Sequence, residues 1–591
     1  MEKNTLIAIG LSAAVLIGFY FVQSTLYPPP PPGSVPAKTA AAPVPADQAL
    51  VPAAPAAAIL PAAGGDSGEA LIEGTHTITT DKVRAVFTNR GGDIISYELL
   101  GHRDGDHGVQ MTDNVTQTNR AFAVAFGGSG GGVIQELFRT ERDGNSSITF
   151  SRRFVLQTAG GTEKEFTLTK RYSFAPDDYM FKLDIVVTSA DGTGLAFDNA
   201  AYTLCSSPQI GPYYDPKKDR YERRLFMAWN GAKKKTDTVK QGQIKDFSNP
   251  WNWTGVEGKY FTALVVPAAP QDMLNITYSS AVEVDNYANS QIFIRRAAIQ
   301  SPTATDTYYV YLGPLAESDL KVYNTEGGNP WRVSALRLNE SMTSTGVLSF
   351  LEAALKWCME LLYRVFPNWG ITIVILTVIL KIALFPLTRK SSQATSRMQE
   401  LQPQMQEIQE KYKGSPEKLN VEIAKFYKEA GYNPMSGCLP LLVQFPIIIA
   451  MFNLFNNYFE FRGASFIPGW IPDLSVGDSV LAFPFTIPFL GWDRLRLLPI
   501  IYVISQLLFG KVTPSAGGGT NAGQMKMMMY GMPIFFFFIF YNAPSGLLIY
   551  WTTSNVLQLF QQMLINKMMG KKKGAGGTKK AAVFVPRKKK R

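Results

Sequence analysis

The chain of 591 residues reads as a polytopic α-helical membrane protein of six spans, five of them forming one helical core, joined to a large all-β sandwich domain outside the cytoplasm. Three observations predict this. Charged residues make up only 18% of the chain and hydrophobic ones 46%, against about a quarter charged in ordinary soluble domains. The apolar excess is gathered into uninterrupted runs near the N-terminus and after residue 340, long enough to cross a bilayer. Between those regions the pattern changes to short runs of period two.

Residues 1–27 are expected to be a membrane anchor. Leu6 to Val22 carry no charge, Lys3 precedes them, and Gln23-Ser24-Thr25-Leu26-Tyr27 follows. No small-x-small cleavage site follows the run, which favours an uncleaved anchor over the alternative of a removed signal. Residues 28–67 are a Pro/Ala-rich linker with 11 prolines between 28 and 65, a composition that favours extended polyproline and buries nothing.

Residues 68–340 predict the β-sandwich. Tyr179, Phe181, Leu183, Ile185 and Val187 alternate with Met180, Lys182, Asp184 and Val186, which suits a half-buried strand. Ala175-Pro176-Asp177-Asp178 is a turn joining it to the 164–174 run, and Arg90-Gly91-Gly92-Asp93 is a second turn between 83–87 and 94–100. Many strands with frequent turns and few helical patterns give a sandwich.

Residues 347–366 predict an amphipathic helix. Glu352, Lys356, Glu360 and Arg364 recur every four residues as one alternately charged stripe. Because a spanning run follows at once, the helix is expected in the interface plane of the membrane; packing on the β-domain is the other reading.

Five further spans, 369–388, 438–459, 495–511, 526–542 and 545–566, make up a core at 369–566. Lys/Arg counts orient it. The segment 389–436 carries Arg389, Lys390, Arg397, Lys411, Lys413, Lys418, Lys425 and Lys428, whereas 460–494 carries two basic residues against four acidic ones. The basic tail 567–591 holds 11 Lys+Arg and no Asp or Glu; without it, 47 basic residues balance 47 acidic ones. Segment 389–436 and tail are therefore cytoplasmic, both termini with them, and the β-domain lies on the other side.

Segment 389–436 predicts a helical hairpin. Met398, Leu401, Met405, Ile408 and Tyr412 share a face, Gly414-Ser415 breaks the run, and Ser415-Pro416-Glu417 is an N-cap, first position and acidic first turn. Leu419, Ile423, Phe426 and Ala430 form a second stripe, which packs on the first or leaves a groove for a partner.

Enzymatic signatures are missing, and the chain reads as no enzyme. It has no GxxxxGK[ST], hence no P-loop for coupling nucleotide to work. His76, His102 and His107 all lie in the β-domain, so no HExxH zinc site or Ser–His pair falls within the spans. The 102–107 cluster reads as a polar surface turn, not a metal site. Cys205, Cys358 and Cys438 are too scattered for a disulfide framework or a CxxC site. No cofactor is implied.

Lys381 is the informative residue, the sole ionisable side chain within the five apolar cores. A Lys at a span centre costs about +2.5 to 3.5 kcal/mol on insertion scales, so it faces water or a partner. One resolution is snorkelling, since Thr388 at the helix end is about 10 Å away. The other is a hydrated intramembrane groove, with Thr377 one turn away on the same face and Gln444, Ser554, Asn555 and Gln558 supplied by other spans. No Asp or Glu lies in any span, which argues against a proton- or cation-coupled solute transporter. A lone cation in an uncharged groove suits transient attraction of an acidic or polar peptide.

The chain closely resembles the YidC membrane-protein insertases of Gram-negative bacteria, relatives of the mitochondrial and chloroplast insertases. The resemblance rests on Asn368-Trp369-Gly370, Phe385-Pro386-Leu387-Thr388, Met398 through Leu401-Gln402-Pro403, Asn433-Pro434, the run Gly437-Cys438-Leu439-Pro440-Leu441-Leu442-Val443-Gln444-Phe445-Pro446, then Pro544-Ser545-Gly546-Leu547 and Ser554-Asn555. In the β-domain, Arg90-Gly91-Gly92-Asp93 and the 259–267 run resemble the periplasmic domain of that family. The resemblance implies an inner-membrane insertase and folding chaperone, acting alone or with the Sec translocon on nascent membrane proteins. Lys381, Thr377, Gln444, Ser554 and Asn555 would form its substrate groove. The family's groove charge is usually Arg; Lys keeps the charge and loses the planar five-donor fork. The resemblance also implies that the tail contacts the ribosome, with anionic lipid as the competing partner and DNA not expected. A structural assembly factor of the Sec translocon is the remaining alternative.

Overall fold

The computed structural model describes residues 58–62 and 71–575, leaving aside short stretches of which the longest are 212–221, 281–290, 432–438 and 513–529. The expected anchor, most of the linker, Asn433-Pro434, Cys438 and the tail beyond 575 lie outside the described residues. The chain divides into two compact units, one of 1–54, 389–439 and 514–525, the other of 55–388, 440–513 and 526–591.

In the larger unit, the alternating runs build antiparallel sheets. A ten-stranded sheet runs Ala58–Pro61, Ser147–Gln157, Glu163–Phe174, Met180–Ser189, Thr303–Pro314, Phe261–Pro267, Trp253–Glu257, Leu225–Trp229, Lys234–Asp237, with Arg139–Asp143 paired off this path. Sheets of five and four strands complete the sandwich. Phe181, Leu183, Ile185 and Val187 are buried, as their period requires, and register places Phe181 between Phe174 and Val310 on the flanking strands. Asp184, on the other face, is buried as well and accepts a hydrogen bond from Thr307 Oγ1 at 2.7 Å. The rest of that face is covered only in part, with Lys182 and Val186 half-buried and Thr188 exposed, so the strand is largely half-buried as its period implies.

The linker expectation needs one correction. Ala58–Pro61 pairs antiparallel with Ser147–Gln157, and Ile59 packs against the core. Here the Pro/Ala composition gives way to Ile59, whose apolar side chain gains more against the core at an open sheet edge than in water.

The 90–93 turn does more than reverse the chain. Gly91 and Gly92 have φ of +70° and +64°, and a Cβ on Gly92 would stand 2.7 Å from Phe150 Cβ. Only glycine fits this approach. The turn delivers Asp93, fully buried, to two buried cations: Arg120 Nε donates to its Oδ2 at 2.7 Å, and Lys170 pairs with its Oδ1. His102 and His107 lie on paired strands closed by the 104–107 turn. His102 Nε2 is 2.9 Å from the Tyr179 hydroxyl, so this histidine packs inward while the turn itself is exposed.

Helices occupy each of the five expected core segments. They are α1 Ser349–Val365 ahead of the core, α2 Trp369–Lys411, α3 Pro416–Glu429, α4 Leu439–Asn457, α5 Leu498–Val512, α6 Met532–Phe540 and α7 Ser545–Ala575. Among the described residues one helix, Trp369–Ala394, is long and apolar enough to cross a membrane; Val443–Asn457 and Leu498–Val512 are apolar but shorter. The expectation of six spans therefore stands at one clear candidate. The reasons are visible: α6 has nine residues, about 14 Å at 1.5 Å per residue, and α7 is diluted by Thr552, Thr553, Ser554, Asn555, Gln558, Gln561 and Gln562.

Three of the four charged residues in the α1 stripe meet protein partners, while Arg364 at its end is exposed. Glu352 accepts from Asn453 Nδ2 at 2.8 Å, Glu360 accepts from the Tyr458 hydroxyl at 3.0 Å, and Lys356 pairs with Glu317 of the β-domain at 2.9 Å. Leu355 and Met359 are buried beside it, while Phe350, Trp357, Leu361 and Val365 form an exposed apolar face. The protein-facing side thus mixes apolar and charged residues, and the exposed apolar face fits a helix whose outer side meets lipid.

In the smaller unit, α3 begins at Ser415-Pro416 as expected, although the Ser415 side chain makes no cap hydrogen bond. Its stripe packs on the end of α2. Phe426 is buried, Tyr427 donates to Met405 Sδ at 3.1 Å, and Arg397 donates to the Ala430 carbonyl at 3.2 Å.

Candidate intramembrane groove

The apolar residues of the helical core converge on one cluster. Trp369, Ile373 and Leu376 of α2, Ala450, Met451 and Phe455 of α4 and Leu547, Leu548 and Tyr550 of α7 are all buried in it. This packing fixes the helices toward one end and leaves a recess further along α2. The recess is small, about 10 Å³ or room for roughly one water, open on one side, and lined by Thr377, Leu380, Lys381, Leu384, Gln444, Ile447, Tyr550 and Ser554.

Four of the five residues singled out from sequence thus meet in one place: Thr377 and Lys381 from α2, Gln444 from α4, Ser554 from α7. Asn555 is placed elsewhere. Its amide donates to Ser505 Oγ of α5 at 3.2 Å, and Ser505 donates to the Tyr502 carbonyl at 2.6 Å. That is a hydrogen bond between helices, with no lining role in the recess. Thr377 is buried and its hydroxyl donates to the Ile373 carbonyl of its own helix at 2.7 Å, which leaves its oxygen lone pair for a guest.

Lys381 does not extend toward Thr388. Its ammonium donates to Gln558 Oε1 across to α7 at 3.1 Å, and Gln561 Nε2 donates back to the Lys381 carbonyl at 3.0 Å. Among the described residues no carboxylate pairs with it. The helix therefore presents a half-buried cation on a neutral acceptor beside an open recess. A carboxylate about 4 Å away would gain ~4 kcal/mol at an effective dielectric of about 20. The hydrogen bond from an ammonium to a neutral amide contributes ~1.5–3 kcal/mol net of its exchange with water, so a carboxylate competes with Gln558 for the ammonium only where its own desolvation cost is small.

Gln561 and Tyr550 were not picked out from sequence. A signal for Gln561 exists: Ser554, Gln558 and Gln561 fall at i, i+4 and i+7 on α7, one line of polar residues among the several that helix carries. Tyr550 carries no such mark, because an aromatic in an apolar run reads as core.

The chain was compared with known families. The model described as YidC periplasmic domain matches residues 75–345, and the one described as 60Kd inner membrane protein matches 361–573. The membrane protein insertase YidC of Treponema denticola is 47% identical over 551 residues, covering 90% of this chain and 94% of that protein. The chain belongs to the YidC membrane-protein insertase family. The Treponema pallidum member is 40% identical over 585 residues with the same coverage of both chains. Among solved structures, an active YidC insertase crystal structure with its first transmembrane domain resolved is 19% identical, covers 82% of this chain and 91% of that one, and has a TM-score of 0.36. Family membership makes this an inner-membrane protein. The first family model ends and the second begins where strands give way to helices, so the sandwich is the family's periplasmic domain and the helices its inner-membrane part.

Proposed function

We propose that the chain inserts and helps fold nascent inner-membrane proteins, receiving a hydrophilic segment in the recess around Lys381 and releasing the adjoining hydrophobic segment into lipid. The observation that carries this reading is the Lys381–Gln558 contact: a cation held on a neutral, displaceable partner beside Thr377, Gln444 and Ser554. Apolar burial of the substrate's own span supplies the driving force, so no nucleotide is needed. The expected six spans, cytoplasmic termini and periplasmic β-domain belong to the same proposal, supported by the Lys/Arg distribution.

Cooperation with the Sec translocon, and ribosome contact through the tail, extend the proposal. The 11 basic residues of the tail support binding to ribosomal RNA, with anionic lipid as the competing partner. Site-specific photocrosslinking from Leu380 and Leu384, which flank Lys381 in the recess, tests the central claim. A nascent membrane protein whose translocated segment crosslinks there, and not from exposed Ile244 in the β-domain, is the expected result. Crosslinks absent from both recess positions during active insertion would reject it.

A further inference from the structure

Between α4 and α5 the chain forms a hairpin that sequence reading left as a loop. Leu481–Ile487 pairs antiparallel with Trp492–Leu495, in the register Leu481 to Leu495, Ala482 to Arg494 and Ile487 to Trp492, as a sheet of two strands. From Ser479 to Trp492 the sequence is Ser-Val-Leu-Ala-Phe-Pro-Phe-Thr-Ile-Pro-Phe-Leu-Gly-Trp, without a charge. A strand pair normally buries one of its two faces. Here Val480, Leu481, Phe485 and Leu490 are 42–62% exposed, and the strands have no fully buried residue. An isolated hairpin of this kind is marginal in water.

Its base, by contrast, is fixed. Asp478 Oδ2 accepts from the Leu497 and Leu498 amides at 2.7 and 3.1 Å, capping the start of α5, and from Trp470 Nε1 at 2.9 Å. Arg496 donates to the Asp478 carbonyl at 2.9 Å and to Asn542 Oδ1 at 3.2 Å. Trp492 stacks on Tyr541 with ring centroids 3.7 Å apart, and also on Phe538 of α6 at 5.8 Å. Phe538 belongs to the exposed apolar face of α6 together with Ile534, Phe535 and Ile539. The hairpin therefore continues, through Trp492, the surface by which α6 meets lipid. At the junction stand Trp492, Tyr541 and the half-exposed Arg494, the residue types of a membrane–water boundary.

We propose that the strand pair Leu481–Ile487 and Trp492–Leu495 is an interfacial anchor lying in the periplasmic-leaflet boundary of the bilayer, with Leu481 and Phe485 among the acyl chains and Arg494 at the phosphates. It lies at the boundary and not deeper, because the outer edges of a two-stranded sheet leave backbone groups that hydrocarbon cannot satisfy. A protein occupant is the less favoured partner, because the patch is continuous with the lipid-facing side of α6. The inference rests on the core being membrane-embedded, and the test reads that separately.

The full-length chain, with Cys205, Cys358 and Cys438 replaced by Ala, receives Phe485→Cys labelled with an environment-sensitive fluorophore. It is reconstituted into phosphatidylethanolamine/phosphatidylglycerol vesicles. Protection of the 545–566 segment from added protease, in vesicles floated after an alkaline carbonate wash, establishes that the core is embedded. The expected result is strong quenching by a lipid nitroxide near the headgroup, and aqueous iodide quenching at least fivefold weaker than at Ile244→Cys, an exposed β-domain site. Equal iodide access at the two sites in floated protein overturns the proposal. So does a probe shielded from iodide yet untouched by the lipid quencher, which means a protein contact. Leu481→Cys repeats the measurement, so a folding failure at Phe485 does not decide it.

Discussion

Lys381 and Asp93 are both charges withdrawn from water, and their surroundings treat them in opposite ways. Asp93 is locked. Arg120 and Lys170 hold its two oxygens, and Lys170 also donates to the Gly91 and Phe122 carbonyls at 3.1 and 2.8 Å. Burial lowers the Lys170 ammonium from its usual range even against the pull of Asp93. Removing one partner of such a cluster strands the others: Asp93→Ala is expected to destabilise the β-domain by ~3–5 kcal/mol. Urea unfolding of the full chain followed by tryptophan fluorescence measures it, and a midpoint equal to that of the parent would show that the cluster contributes nothing. Lys381, held by a single amide, is left free to exchange its partner. Lys381→Ala is expected to lower insertion of substrates with acidic translocated segments more than tenfold, while Lys381→Arg retains it, since charge and not ammonium shape is what the recess offers. Protease protection of the substrate in reconstituted vesicles reads both. Undiminished activity of the alanine variant would remove Lys381 from the mechanism.

At the scale of elements, a short knuckle between α4 and α5 joins the two hydrophobic cores. Phe459 packs edge-on against His102 and Phe261 of the β-domain, with centroids 5.3 and 5.7 Å away, and Arg462 donates to the Arg103 carbonyl at 2.6 Å. Phe461, two residues from Phe459, is buried in the helical core. Burial, with the Arg462 and Lys82 cations nearby, lowers the His102 imidazole to about 4. Because the folded state holds it neutral, this contact is intact above about pH 6.5 and is lost as pH falls toward 4. Hydrogen exchange at 99–103 and 459–462 is expected to rise as pH falls through that window, after correction for intrinsic exchange. His102→Phe should flatten the rise, and an unchanged pH profile in that variant would assign it to other groups. Much at this scale was legible in sequence: the strand at 180–189, both turns, the helices on either side of Gly414-Ser415 and the periodic stripe of α1 all follow from period and punctuation. The direction of the stripe was not, because amphipathicity does not say which face meets protein when the outside is lipid. The 481–495 hairpin was also missed, since an uncharged run interrupted by Pro484 and Pro488 matches neither helix nor half-buried strand. In the recess, polar residues in apolar helices were visible from composition. Asn555 was misplaced because neighbouring positions on a helix, Ser554 and Asn555, point about 100° apart, and only packing decides which one lines the recess.

Taken whole, the molecule carries two cores with separate memberships. The β-domain cluster is drawn from 78–338, with Phe459 its only packed neighbour from the helical core among the described residues. The helical cluster is drawn from 355–550 and takes nothing from the sandwich. The ties between them are the Phe459–Arg462 knuckle, the Lys356–Glu317 pair and the covalent connection through α1. The contacts among them are small: one aromatic side chain packed on the β-domain core and one half-buried ion pair. Every residue lining the recess lies after 368, and the α1 stripe keeps its contacts to Asn453 and Tyr458 when Glu317 is gone. Deleting 68–340, with the N-terminal anchor joined through the linker to α1, should therefore leave a folded helical core. Insertion of a Sec-independent substrate should remain measurable, within about tenfold of the full chain, a loss of under ~1.4 kcal/mol in the rate-limiting barrier. The check is protease protection of that substrate in vesicles carrying matched amounts of each protein, with tail accessibility confirming orientation. Complete loss of insertion at normal protein level and orientation would mean that the sandwich takes part in the transfer itself.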